Sequence, residues 1–268
     1  MTTRSEFTLD GGAGALAGVR WAGDEQRYIA VLVHGYGEHL GRYEWVADRL
    51  VANGAVVYGA DHVGHGRSDG ERVLIADFEP VVEDVRRVVE HARREHPSLP
   101  VVIIGHSMGG MIGARYLQRF GGDVVCAVLS GPVLGRWGVT ELLDLDQIPP
   151  TPIDPATLSR DASVGAAYEA DPLVWHGDFK RPTLQALATA LRTINDGGTL
   201  GVPTLWLHGS DDHLVPIEDT RYGWEQIAGD TSHAKHYEGA RHEIFNETNK
   251  DEVIADVLAF IDEHLPAR

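Results

Sequence analysis

Three separated stretches of this chain carry residue types that could carry out nucleophilic chemistry together. Ser107 lies in Gly105-His106-Ser107-Met108-Gly109, directly after the apolar run 101–104 and directly before a helix-like stretch at 111–120. A strand that turns sharply into a helix with serine at the corner exposes the hydroxyl and aims the helix N–H groups at developing negative charge. The flanking glycines suit such a corner, because strand and helix must approach closely there. A serine hydroxyl is a weak nucleophile until a base takes its proton, and the base needs a carboxylate to hold its tautomer and stabilise its charge. Downstream, His208-Gly209-Ser210-Asp211-Asp212-His213 follows the apolar run 204–207, and Tyr237-Glu238-Gly239-Ala240-Arg241-His242-Glu243 follows a short strand-like stretch. The order nucleophile, acid, base makes Ser107 the candidate nucleophile and His242 the candidate base. Asp211 and Asp212 are both candidates for the acid, and periodicity does not separate them.

A tetrahedral intermediate needs two N–H donors for its oxyanion. Met108, the residue after the nucleophile, offers one. The other belongs to a loop after an early strand, here His34-Gly35-Tyr36-Gly37-Glu38-His39 after the run 29–33, which makes Tyr36 the candidate.

Competing readings of the same residue types are weaker. With 31 Gly and 9 Ser in the chain, about 0.1 matches to G-x-S-x-G arise by chance, so context has to carry the motif. Gly66-Arg67-Ser68-Asp69-Gly70 also matches, but a polar loop precedes it, and Ser68 reads as a loop residue. His34, His39, His62 and His65 lie in glycine-rich loops without a ligand set, so no metal is expected. His208, His213 and His233 read as structural or solvated. Gly35 and Gly37 do not complete G-x-G-x-x-G, since position 40 is Leu. No cofactor is expected.

The elements that must position these residues alternate. Apolar runs at 29–33, 55–59, 101–104, 124–129 and 204–207 read as parallel strands, and 7–9 with 16–21 read as an antiparallel edge. Val81, Val85, Val88, Val89 and Ala92 share one helix face, as do Val253, Val257, Leu258 and Ile261. The reading is an α/β fold, a mostly parallel sheet flanked by helices. Residues 131–201 break the rhythm with Pro, Asp and Ala and read as an inserted cap, leaving 1–130 and 202–268 as the core.

Bulk properties narrow the function class. The hydrophobic fraction of 43% and mean hydropathy of −0.18 indicate a soluble globular protein. The first residues lack the apolar core of a signal peptide, so a cytoplasmic location is expected. A formal net charge of −17 argues against nucleic acid and against steering to anionic lipid. The single cysteine, Cys126, cannot form an intrachain disulfide and sits in an apolar run.

Five motifs together resemble the monoacylglycerol lipase branch of the α/β-hydrolases, with related lysophospholipases and serine aminopeptidase-type enzymes. They are His34-Gly-Tyr-Gly-Glu-His39 with Arg42-Tyr43, Asp61-His62 with Gly64-His65-Gly66-Arg67-Ser68, Gly105-His-Ser-Met-Gly-Gly110, His208-Gly-Ser-Asp-Asp212, and Tyr237-Glu-Gly-Ala-Arg-His242. The resemblance covers nearly the whole chain and implies an α/β-hydrolase fold with a cap. It implies a cofactor-free serine esterase that cleaves monoacylglycerols to glycerol and fatty acid, with a small-molecule ester as its partner and at most peripheral membrane or micelle contact. Its pattern puts the acid at Asp212 and the oxyanion hole at Tyr36 and Met108. It places Glu38 and Arg42 at the polar, glycerol end of the pocket, or alternatively in a buried pair bracing the oxyanion loop. A lysophospholipase, a general carboxylesterase and a non-catalytic homologue are the alternatives. The cap departs from the family, because Leu142-Leu143-Asp144-Leu145-Asp146 is short and interrupted by acids. Weak interfacial docking and a preference for short or medium acyl chains are therefore expected.

Overall fold

A computed structural model describes residues 2–267. Eight strands form one sheet: β1 (Thr3–Gly11), β2 (Gly14–Ala22), β3 (Tyr28–Val33), β4 (Ala55–Ala60), β5 (Val101–His106), β6 (Cys126–Ser130), β7 (Thr204–Gly209) and β8 (Ser232–Tyr237). Their order across the sheet is β1-β2-β4-β3-β5-β6-β7-β8. The β1–β2 and β2–β4 pairs are antiparallel and the remaining neighbours are parallel. The helices are α1 (Glu44–Ala52), α2 (Glu79–Glu95), α3 (Met108–Phe120), α4 (Ala162–Ala170), α5 (Arg181–Asn195), α6 (Ile217–Ile227) and α7 (Lys250–His264).

The central strands β3, β4, β5, β6 and β7 are buried at every residue, as strands covered on both faces must be. Successive side chains point to opposite faces. Ile29, Val31 and Val33 accordingly join a cluster with α2, α3 and α5, while Tyr28, Ala30 and Leu32 join one with α1 and α7. The sheet's outer strands are polar: β1 exposes Arg4, Glu6 and Asp10, and β8 exposes His233 and His236.

Within residues 131–201, α5 packs Leu184, Leu187, Leu191 and Ile194 into the same apolar cluster as α3. The stretch before it is looser. Leu158, Tyr168 and Val174 make a small cluster of their own. Among the described residues no helix is long and apolar enough to cross a membrane.

Candidate active site

Ser107 occupies the single residue between β5 and α3 and has φ 57° and ψ −122°. A non-glycine residue in that region costs about 1–3 kcal/mol, which the surroundings must offset. The Ser107 amide donates to the Ser130 carbonyl at 2.9 Å, and its carbonyl accepts from Gly110 and Val133. The motif's glycines permit close approach. A Cβ on Gly109 would collide with the carbonyl oxygens of Val33 and His34, and one on Gly105 with that of Gly109.

The three loops that follow β5, β7 and β8 meet at one edge of the sheet, as parallel strands require. His242 Nε2 lies 2.9 Å from Ser107 Oγ, and His242 Nδ1 lies 2.7 Å from Asp212 Oδ2. All three side chains are buried. The carboxylate of Asp212 is fully engaged. Its Oδ1 accepts from the amides of Leu214 and Val215, and its Oδ2 also faces His208 Nε2 at 3.2 Å. His208 Nδ1 accepts from Trp206 Nε1, so His208 carries its proton on Nε2. Although burial opposes ionisation, His242 and His208 hold Asp212 well below the usual carboxylate range. Asp212 in turn raises His242 above its ordinary value against the effect of burial. Asp211, by contrast, is half-buried and faces His213.

Tyr36 follows β3 and Met108 opens α3. Neither backbone amide has a hydrogen-bond acceptor among the described residues. Gly35 brings this loop against Ser107, since a Cβ there would lie 3.1 Å from Ser107 Cβ. Glu38 holds the loop from within, its Oε1 accepting from the Gly35 amide at 2.7 Å and from the Tyr43 hydroxyl at 2.6 Å. Arg42 Nη1 donates to Glu38 Oε2, and its two terminal nitrogens fork onto both oxygens of Glu243 at 2.6 and 2.8 Å. A narrow pocket of about 20 Å³ lies between these groups and side chains of residues 137–168. Glu38 and Arg42 lie on its polar side, and Trp137, Ile153, Leu158 and Leu214 supply apolar wall.

Residues 24–249 match the family model described as serine aminopeptidase, S33. The chain belongs to that family. A monoacylglycerol lipase of Mycolicibacterium smegmatis is 39% identical over 98% of this chain and 99% of its own. The human monoglyceride lipase is 35% identical over 80% of this chain and 75% of its own. A solved structure of a soluble variant of the Saccharomyces cerevisiae monoglyceride lipase, 21% identical, superposes with a TM-score of 0.87 over 100% of this chain and 97% of that one, a likeness of fold. This S33-family member is an α/β-hydrolase and a carboxylic ester hydrolase.

The remaining motif residues of this S33-family chain brace loops. Ser68 Oγ donates to the Asp61 carbonyl and accepts from the Ala17 amide, 51 residues away. His34, His62 and His65 interlock instead of converging on a ligand. His34 Nε2 accepts from the His62 amide, and the His62 ring returns a bond to the His34 carbonyl. Among the described residues no group of three or more His, Cys, Asp or Glu could hold a metal ion. Sequence reasoning missed three residues at the site. Glu243 and His208 touch Arg42 and Asp212, and Tyr168 on α4 lines the pocket with a buried hydroxyl that has no partner among the described residues. Proximity to His242 was the one available signal for Glu243. Tyr168 had none, because α4 carries no apolar stripe.

Proposed function

We propose that this protein hydrolyses monoacylglycerols to glycerol and fatty acid through an acyl-enzyme on Ser107. The observation that carries the reading is the continuous hydrogen-bonded chain Ser107–His242–Asp212 beside a narrow pocket lined by both polar and apolar side chains. His242 Nε2 takes the Ser107 proton as Oγ attacks the ester carbonyl, and Asp212 stabilises the imidazolium. The oxyanion settles on the Tyr36 and Met108 amides. His242 returns the proton to the departing glycerol oxygen, and water then repeats the steps on the acyl-serine.

Glu38 and Arg42 face the alcohol, and the apolar wall takes the acyl chain. Residues 131–201 cover the site. Leu142 and Leu143 pack against the core, and Leu145 is the large apolar side chain of this stretch that stands well into solvent, at 46% exposure. That favours short and medium acyl chains presented in solution over docking at a lipid surface. The named activities of the M. smegmatis and human relatives support the same substrate class.

The test is glycerol release from medium- and long-chain monoacylglycerols beside p-nitrophenyl esters and a lysophospholipid of matched acyl chain. Ser107→Ala is expected to lower kcat by roughly 10⁴–10⁶ without altering the thermal unfolding temperature. Turnover that survives this substitution would remove the nucleophile assignment. Turnover confined to simple esters would move the protein to the general carboxylesterases.

A further inference from the structure

The base and one oxyanion donor stand on opposite sides of the nucleophile's strand. Tyr36 follows β3 and His242 follows β8, and these strands are separated by β5, β6 and β7. Four inter-strand steps amount to about 19 Å. Yet the His242 imidazole and the Tyr36 amide must address one tetrahedral carbon, and small misplacements are costly in such a site. Among the described residues no hydrogen bond joins residues 34–38 directly to residues 240–246. The connection runs through Arg42.

Arg42 is largely covered, with its side chain 11% exposed between two carboxylates that are 5% and 6% exposed. Its fork onto Glu243 fixes the residue next to the base. Its remaining bond fixes Glu38, whose other oxygen holds Gly35, the residue next to Tyr36. Asn246 Nδ2 adds a second donor to Glu243 Oε2 at 2.8 Å, so the carboxylate is held on both sides. The cap also touches both loops, the Trp175 amide donating to Gly37 and the Glu243 amide to Leu158. Those are main-chain bonds and do not depend on the Glu243 carboxylate.

On the mechanism proposed above, we infer that Glu243 is a positioning residue that locks the base loop to the oxyanion loop through Arg42. A bidentate guanidinium–carboxylate pair fixes angle as well as distance, which a single hydrogen bond does not. The preference for a charged pair over an apolar contact follows, since a buried ion pair contributes specificity of geometry more than stability.

Glu243→Gln keeps the volume and breaks the fork. It is expected to lower kcat about 10- to 100-fold while KM changes less than about threefold. Glu243→Asp keeps the charge and shortens the arm by one methylene, and it should recover part of the loss. Glu38→Gln breaks the same bridge at its other end. The double variant Glu38→Gln/Glu243→Gln should therefore lose far less than the product of the two single losses. If Glu243→Gln does not fold, the same cycle is run with Glu243→Asp. Multiplying losses, or a Glu243→Gln enzyme within twofold of wild type, would overturn the inference. Turnover that survives Ser107→Ala would instead overturn the mechanism, and the inference with it.

Discussion

At the scale of single residues, the site separates two neighbours that look alike in sequence. Asp212 accepts three hydrogen bonds in a buried setting with His208 Nε2 3.2 Å away, and Asp211 faces His213 with its side chain 48% exposed. Asp212→Asn should cost about 10⁴ in kcat, because the amide no longer favours the productive His242 tautomer. Asp211→Asn should leave kcat within about twofold, as surface changes away from buried features generally do. Steady-state kinetics on one ester substrate decides between them, and equal losses would contradict the geometry. The proposed nucleophile and base, Ser107 and His242, stand out in the sequence because strand, turn and chain order converge on them, and the structure brings them within 2.9 Å. The proposed acid, Asp212, does not stand out from Asp211 by pattern alone, because the difference depends on the amides of Leu214 and Val215 curling around Oδ1. Glu243 was hidden for a related reason. An acid beside a histidine reads as a surface residue until its partner is known to be Arg42, 201 positions away.

At the scale of elements, the corner between β5 and α3 bears the tightest steric constraint. Gly109→Ala would press a methyl into the carbonyls of Val33 and His34 and push α3 off the sheet. Overpacking of this kind costs about 1–3 kcal/mol or more, which lowers the melting temperature by on the order of 5 °C in a chain of this size. Thermal unfolding beside labelling by a fluorophosphonate probe measures both consequences. A variant with wild-type melting and labelling would show that the corner has slack. The buried strands and the apolar faces of α2 and α7 were legible because continuous apolar runs and helical periodicity are strong signals. The element β8 gave a weak one, since Ser-His-Ala-Lys-His-Tyr is largely exposed. The packing of α5 was obscured by the Pro- and Asp-rich stretch before it.

At the scale of the whole molecule, four buried histidines set an acid limit. Burial, with repulsion from His65, pushes His62 down to about 3, and burial, with repulsion from Arg72, pushes His65 down to about 4. Burial lowers His106 to about 4 and holds His34 well below its ordinary value. The unfolded chain takes up these protons near pH 6.5 and the folded chain does not, so stability is full above pH 6.5 and falls as pH drops toward 4. Each group contributes up to about 1.4 kcal/mol per pH unit across that window. His242 has the opposite sign. Its raised value adds stability below pH 6.5 that is lost as pH rises through its folded value, one group against four. Urea unfolding at pH 7.5, 6 and 5 should show a steep fall in midpoint, and a flat profile would mean that the cluster takes up protons while folded. The sheet's rims have a different consequence. Arg4, Glu6 and Asp10 line one margin, and Lys235 with His233 and His236 lines the other. Neither margin offers a neutral, flat template for another copy's backbone. Charged and polar side chains on both margins therefore blunt the strand edges, and strand-by-strand self-association is disfavoured even at high concentration.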